Sequence, residues 1–520
     1  MMKVLVVGGG LVGLSTALFL AWHGVECTVV ERHQDVLRHP RMRSLAPRLV
    51  EMYRQVGLEP ELVRAGDAFA DHAEFTMVRA ETLGGVHTVL DKHQDAGLAD
   101  DISPCRGIPI DQDRAERLVW RRAKQLGADV RFGVSLKDFS HDGAGVTARL
   151  RAADGTVSTV TAEYLIAADG ANSGIRHRLG IGMTGPGEIS RMLSILFEAD
   201  LDPLLGDRSV HMAFLTQPHP QTYLMSLDPQ RRRWVLGTSD PGDRGATRDD
   251  CEALVHAALG GEPPLRILPP VPGSTSPALR FGLGAAVADR FRDGRVFLVG
   301  DAAHHMPPPG GFGGATGVAD AHNLAWKLAA VLTGRADSAL LDTYHAERHP
   351  VAEFTMRQAL ARASTRLGAD WTDREATIVE RTAVMMGYRY GSEDIVSAEP
   401  AAVGTRFPHL WLPSGESSLD LFGSGFVLLT SSGGEAWGRV GHESLTVNRL
   451  PIDLPGVDPD GAILVRPDGF VAWRGRACPD DPQATIDRVM AASLHGNSPV
   501  TESSSVLSPT EFPPPSVFRR

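Results

Sequence analysis

Gly8, Gly10 and Gly13 stand at the G-x-G-x-x-G spacing, after the apolar run 3–7 and before a helical run. Glu31 closes the next apolar run, 18 residues beyond Gly13. Each residue type has a chemical task at that spacing. The first glycine permits a tight turn, the second lets backbone approach a pyrophosphate, and the third lets the helix pack close to the strand. The pyrophosphate then meets the helix N-terminus, where unpaired N–H groups point at it. Glu31 falls where a carboxylate accepts hydrogen bonds from a ribose. The unit reads as an adenine dinucleotide site. By itself it does not separate FAD from NAD.

Two more strand-to-acid segments carry candidate chemistry. The first is an apolar run ending in Asp169-Gly170, followed by Ser173 and Arg176. Alone it is equally a strand leading into a turn. The second runs 296–304 through Gly300-Asp301 into Pro307-Pro308-Pro309-Gly310-Gly311-Phe312-Gly313-Gly314, with a long helix expected from about Thr316 to Leu332. Asp301 can bond sugar-like hydroxyls, and the glycines let backbone lie against a flat ring. The helix N-terminus turns partial positive charge toward that ring. Arg41 falls where a phosphate could lie, or is a solvated arginine at a helix start. Asp111 is a candidate N-cap, and Gln112 is an ordinary residue for a helix start.

Other patterns are weaker. Gly143, Gly145 and Ala148 match a dinucleotide pattern, but a strand follows them. His345 and His349 lie four apart with Ala346 where a zinc protease needs Glu, so their run reads as a surface helix. His304-His305 reads as packing or capping.

Composition narrows the class. A chain of 520 residues implies two to four domains, and 42% hydrophobic residues allow a sizeable core. A formal charge of −11 argues against a broad nucleic-acid footprint. Cys27, Cys105, Cys251 and Cys478 are far apart, without a C-x-x-C, which fits a reducing cytoplasmic compartment. The apolar N-terminal stretch 4–21 carries four glycines and no cleavage pattern, and no later stretch reads as a membrane span.

The elements that must position these residues follow in order. Residues 69–91 read as strands, 114–126 as a helix, and 128–168 as a β-meander turning at Asp142-Gly143 and Asp154-Gly155. From about 180 to 280 alternating strands sit among proline-rich loops, as in a mostly antiparallel sheet over a pocket. Residues 405–490 form a separate unit with a hairpin turn at Arg466-Pro467-Asp468-Gly469.

Taken together, Gly8/Gly10/Gly13/Glu31, Asp169-Gly170-x-x-Ser173-x-x-Arg176 and Gly300-Asp301-Ala302-Ala303-His304 resemble the single-component flavoprotein aromatic hydroxylases typified by p-hydroxybenzoate hydroxylase. The glycine loop, Asp320-Ala321-His322-Asn323-Leu324-Ala325-Trp326-Lys327, Gly387-Tyr388-Arg389-Tyr390, Leu419-Asp420-Leu421-Phe422-Gly423 and Val465-Arg466-Pro467-Asp468-Gly469 are similar to bacterial hydroxylases of aromatic polyketides such as anthracyclines and angucyclines. The resemblance implies an α/β fold: a Rossmann-like FAD-binding domain (1–70, 100–178, 282–392), an inserted mostly antiparallel substrate domain (71–99, 179–281), and a thioredoxin-like unit (400–492) that lacks its C-x-x-C. The tail 493–520 reads as disordered.

The same resemblance assigns roles around FAD. Gly8, Gly10, Leu11, Val12 and Gly13 form the pyrophosphate turn, and Glu31 holds the adenosine ribose. Arg32, Arg41 and Gln112 contact ribose, pyrophosphate or ribityl oxygens. Asp301 binds the ribityl–pyrophosphate stretch, and Asp169 supports both the FAD fold and NAD(P)H access. Pro308, Gly311, Gly313, Gly314 and Ala315 lie against the isoalloxazine. Ala315 stands where relatives usually carry Asn, which leaves backbone for the contact. Arg389 is the candidate to polarise a substrate oxygen, or an arginine paired with an acid. Tyr223 is a candidate pocket residue.

The implied reaction is phenol hydroxylation with NAD(P)H and O₂ through a flavin C4a-hydroperoxide, in a monomer or homodimer without a metal. Two rivals stay open at this stage: a Baeyer–Villiger oxygenase, and a flavin-binding protein without oxygenation.

Overall fold

The computed structural model describes residues 2–36, 42–67, 75–93, 102–228, 230–240, 242, 246–270, 275–367, 377–392, 395–397 and 399–495. Arg41 and the tail from 496 lie outside these, and the helix Pro482–Leu494 runs past the expected start of that tail.

The first strand, Met2–Val7, lies between Val157–Ala167 and Cys27–Glu31 and is parallel to both. Val296–Leu298 extends this sheet on one side and Asp129–Phe132 on the other, again in parallel. Val4, Leu5 and Val6 are fully buried in one core with Leu14 and Leu18 of the following helix and Phe139, Val146 and Leu150 of the meander, which is why the run is continuously apolar. The expected meander is present as Val134–His141, Val146–Ala152 and Val157–Ala167, in antiparallel register. Asp142 N–H donates to Gly145 at one of its turns.

A second sheet of nine strands is antiparallel except where Met212–Leu215 runs parallel to Phe75–Ala80. Leu279–Ala288 and His304–His305 carry it beyond residue 281, so the two sheets share chain at that border. One face packs Phe197, Leu224, Trp234 and Leu236 on the helix Arg248–Leu259.

The C-terminal unit is a four-stranded sheet, ordered Leu445–Arg449, Phe426–Thr430, Ala462–Val465, Val471–Gly475, with the helix Pro482–Leu494 against it. Its Trp437 and Trp473 share a core with Trp326 and Leu340 of the first domain. The four cysteines are free thiols.

Three local expectations are corrected. The long helix starts at Phe312, not Thr316: Gly311 takes a left-handed N-cap conformation (φ +67°), and Gly313 and Gly314 lie inside the first turn behind the buried Phe312. Asp111 occupies the N-cap position of Gln112–Gln125 but makes no cap bond; its carboxylate accepts from Arg43 Nη1 at 2.6 Å. The helix Asp342–Leu367 is not a surface helix: Tyr344 and Arg348 on it are fully buried. His345 and His349 pack around Phe291. Among the described residues no group of His, Cys, Asp and Glu could hold a metal ion, and no helix is long and apolar enough to cross a membrane.

Candidate functional site

Three segments distant in sequence meet on the first strand–helix turn. Gly8 sits at φ +111°, and a Cβ there would overlap Ala168 O, just before Asp169. A Cβ on Gly13 would overlap Gly8 O, so the helix Leu11–Trp22 can close on the strand only as glycine. Val12 packs against Gly300 and Gly317, whose added Cβ atoms would lie 2.9 and 2.7 Å from it. A Cβ added to Gly314 would lie 3.7 Å from Leu11, and one added to Gly10 would lie 3.8 Å from the Glu116 carboxylate.

The polar residues ring this turn. Glu31 accepts from Gly9 N–H at 2.7 Å and from His33 N–H at 2.8 Å, which fixes its carboxylate at the strand end. Arg32 is exposed, its Nε toward His33. Gln112 accepts from Met42 N–H and donates to Glu116 at 2.7 Å, linking the segment after Arg41 to the glycine turn.

Asp169 Oδ2 accepts from Ile175 N–H, while its buried Oδ1 has no protein partner. Ser173 caps the short helix Gly174–Arg178, and Arg176 donates to Ala302 O and Ala171 O, both at 2.9 Å. The Ser-Arg part of this motif is therefore a brace between the second and third segments.

Asp301 lies exposed on a tight helical turn, Gly300–Ala302. Pro308 and Gly311 are exposed, Gly313 and Gly314 half-buried, and Ala315 buried. The N-cap Gly311 makes no side-chain cap bond, so the first N–H groups of Phe312–Leu332 are free for a ligand. Arg381 donates to Gly310 O at 3.0 Å and steadies the loop from outside.

These features fit FAD. The glycine turn leaves the front of a helix open. A buried carboxylate oxygen lacks a partner, an exposed acid stands on a neighbouring turn, and a second uncapped helix starts where a flat ring would lie.

Tyr223 stands on Thr222–Ser226 of the second sheet. Register places it beside Phe214 on one strand and Gly237 on the other, with Ser194 next in the row. Met192 follows two residues along that strand and pairs with Phe281. Arg79, opposite Phe214, donates to Thr365 O on the helix Asp342–Leu367, so this face turns toward the FAD domain. The Tyr223 ring fills the space over Gly237, where a Cβ would overlap it. Burial pushes the Tyr223 phenol up to about 12.

Arg389 is placed elsewhere. Its Nε donates to Val403 O at 2.9 Å and its backbone bridges Thr405, at the start of the C-terminal unit. Among the described residues it is tethered to a carbonyl and pairs with no acid.

Sequence reasoning quoted Asp320 only within a resemblance, without a role, and passed over Arg348; both are fully buried. Asp320 accepts from Gly300 N–H at 3.1 Å, from His304 Nε2 at 2.6 Å and from Arg348 Nε at 2.8 Å. Burial alone would raise its carboxyl, but His304 and Arg348 outweigh this and hold it below the usual range. The signal for Asp320 was an acid inside a small, apolar helical run. Arg348 carried none, lying in a run of mixed charge.

The geometry defines a flavoprotein, and comparison with known proteins agrees. Residues 1–359 match the family described as FAD binding domain, and residues 400–494 match aromatic-ring hydroxylase, C-terminal. Tetracenomycin B2 monooxygenase-dioxygenase of Streptomyces olivaceus is 35% identical over 94% of this chain and 98% of its own. 4-Methyl-5-nitrocatechol 5-monooxygenase of a Burkholderia species is 36% identical over 94% and 97%. The crystal structure of aklavinone-11 hydroxylase with FAD and aklavinone superposes with a TM-score of 0.87 at 34% identity, covering 95% and 99% of the two chains. The chain belongs to the FAD-binding aromatic-ring hydroxylase family and is an FAD-dependent monooxygenase.

Proposed function

We propose that this enzyme hydroxylates a phenolic ring of a polycyclic aromatic polyketide, with NAD(P)H as reductant and O₂ as oxygen donor. The observation that carries this reading is the sheet face bearing Phe214 and Tyr223 in register and Phe281 one row along, turned toward the FAD domain. A flat apolar floor suits a flat fused-ring substrate, and its relatives named for tetracenomycin and aklavinone support the same class.

FAD supplies electron transfer from the nicotinamide and activation of O₂. The chain's own part is binding, orientation and environment. Glu31 and Arg32 face the adenosine ribose, and Gln112 lies near the pyrophosphate. Asp301 takes ribityl hydroxyls, and Asp169 offers its unpartnered oxygen beside them. Pro308, Gly311, Gly313, Gly314 and Ala315 lie along the ring, with backbone serving at Ala315. The free N–H groups beyond Gly311 stabilise negative charge on the ring's edge. Tyr223 keeps its phenol proton at neutral pH and donates a hydrogen bond to a substrate oxygen. The apolar sheet face keeps water from the reacting centre. The described residues form one dinucleotide fold, so the nicotinamide binds transiently.

The test is an absorbance spectrum of the purified protein, then NADPH consumption with and without a polycyclic phenol. The reading expects a yellow protein whose NADPH use rises with the phenol and whose product gains one oxygen on an intact ring skeleton. A ring-expanded lactone, or phenol recovered unchanged from a yellow protein, would contradict it.

A further inference from the structure

Asp320 and Arg348 lead out of the site. Arg348 holds Asp320 with Nε, Thr316 O with Nη2 (3.1 Å) and the Tyr390 hydroxyl with Nη1 (3.1 Å). Tyr390 stacks on Phe470 of the C-terminal unit, with ring centroids 4.3 Å apart and planes at 26°. The Arg466 guanidinium lies 5.4 Å from the Tyr390 ring centre and pairs with Glu347, the residue beside Arg348. Asp320 and Arg348 are fully buried, and Tyr390 and Phe470 nearly so. At the other end Asp320 holds Gly300 N–H, which carries the Asp301 turn. A continuous set of buried contacts thus joins the C-terminal unit to the turn that faces the cofactor.

We propose that Asp320, Arg348 and Tyr390 are positioning residues that transmit the seating of Phe470 to the Gly300–Asp301 turn, so that the C-terminal unit, which has no C-x-x-C, sets how tightly the enzyme holds FAD. The proposal rests on the reading of Asp301 as an FAD contact. It gives the Gly-Tyr-Arg-Tyr segment a role through Tyr390. Tyr388, two residues away, buries a hydroxyl that has no hydrogen-bond partner, and supplies the control.

The experiment measures the FAD dissociation constant, the flavin absorbance band and the melting temperature of the apo-protein in full-length variants. Asp320→Asn and Asp301→Ala each raise the dissociation constant roughly tenfold or more, as expected for one charge-assisted hydrogen bond. Tyr390→Phe, which removes only a hydroxyl, and Phe470→Leu, which removes only the stacking, each raise it about threefold to tenfold and shift the band, with the apo-protein still folded. Combining the two adds little, because the same set of contacts is already broken. Tyr388→Phe leaves the constant unchanged. If Asp301→Ala weakens FAD while Tyr390→Phe and Phe470→Leu bind it as the wild type does, the relay is overturned and the reading of the site stands. If Asp301→Ala binds FAD normally, that reading falls and the relay falls with it. Lowered melting temperatures with unchanged FAD affinity would also overturn it, since a purely structural role moves only the first.

Discussion

The flavin cradle and the seam beneath the C-terminal unit are built by opposite means. The cradle is made of backbone: Gly8, Gly13, Gly300 and Gly317 let the chain approach itself where any side chain would collide. The seam is made of buried charge. Lys327, Glu347, Arg466 and Asp468 interlock, with Lys327 Nζ 2.8 Å from Glu347 and Arg466 bonded to both carboxylates. Asn323 donates to Glu347 and Asp468 from the same helix as Lys327. Nearby, Glu51 binds Arg48, Arg406 and Ser103. Backbone approach shapes a surface for a ligand. Side-chain ion pairs fix one domain against another and leave little room for anything else.

The contrast can be broken most sharply at Gly13. A Cβ there overlaps Gly8 O, which cannot move without losing the strand. Gly13→Val is expected to cost about 4 kcal/mol or more, at the upper end for one substitution. The purified variant should be colourless or insoluble. A soluble yellow variant would refute the close-approach account.

At the seam, Arg466→Met leaves Glu347 and Asp468 facing each other with one cation fewer. Breaking such a buried set costs about 3–5 kcal/mol, read as a drop in the urea midpoint. The exposed pair Arg449–Glu435 is the foil: Arg449→Met costs about 1 kcal/mol or less because solvent screens it. Equal losses at the two positions would erase the distinction.

Acid should attack the seam next. Burial would raise the Glu347, Asp468 and Glu51 carboxyls, yet their cations hold them below the usual range: Arg466 and Lys327 for Glu347, Arg466 for Asp468, Arg406 and Arg48 for Glu51. Folded values below unfolded ones make the contribution full above the unfolded pKa. It is lost as pH falls through the folded values. Stability from these groups should therefore be flat from about pH 7 to about pH 5 and fall steeply below about pH 4. Tryptophan emission, which reports Trp437 and Trp473, checks this against pH. A gradual loss beginning near neutrality would contradict it.

The smallest effect belongs to the substrate sheet. Tyr223→Phe keeps the ring over Gly237 and removes one donor, so KM for a phenolic substrate should rise about threefold to tenfold with FAD affinity unchanged. Unchanged KM would remove Tyr223 from substrate contact.

The same contrast explains what could be read in advance. A glycine needed for close approach must recur at a fixed spacing after a strand, so the dinucleotide turn of the cradle was legible from Gly8, Gly10 and Gly13, while its flavin character needed the segments at 169 and 301. The partners of Asp320 come from residues 300, 304 and 348, and no local pattern joins them. The helix start was misplaced at Thr316 because Gly313 and Gly314 are poor helix formers. Phe312, fully buried in the core, starts the helix ahead of them despite that preference. Arg389 drew attention by its place in Gly-Tyr-Arg-Tyr, whereas the structure hands the buried contact to Tyr390.

The most direct test of the central claim is turnover of a polycyclic phenol under heavy-isotope O₂ with FAD-loaded enzyme and NADPH. The account predicts a hydroxylated product whose new oxygen carries the label, with none taken from labelled water. Label-free product, or NADPH consumption that yields only peroxide while the phenol is recovered intact, would contradict it.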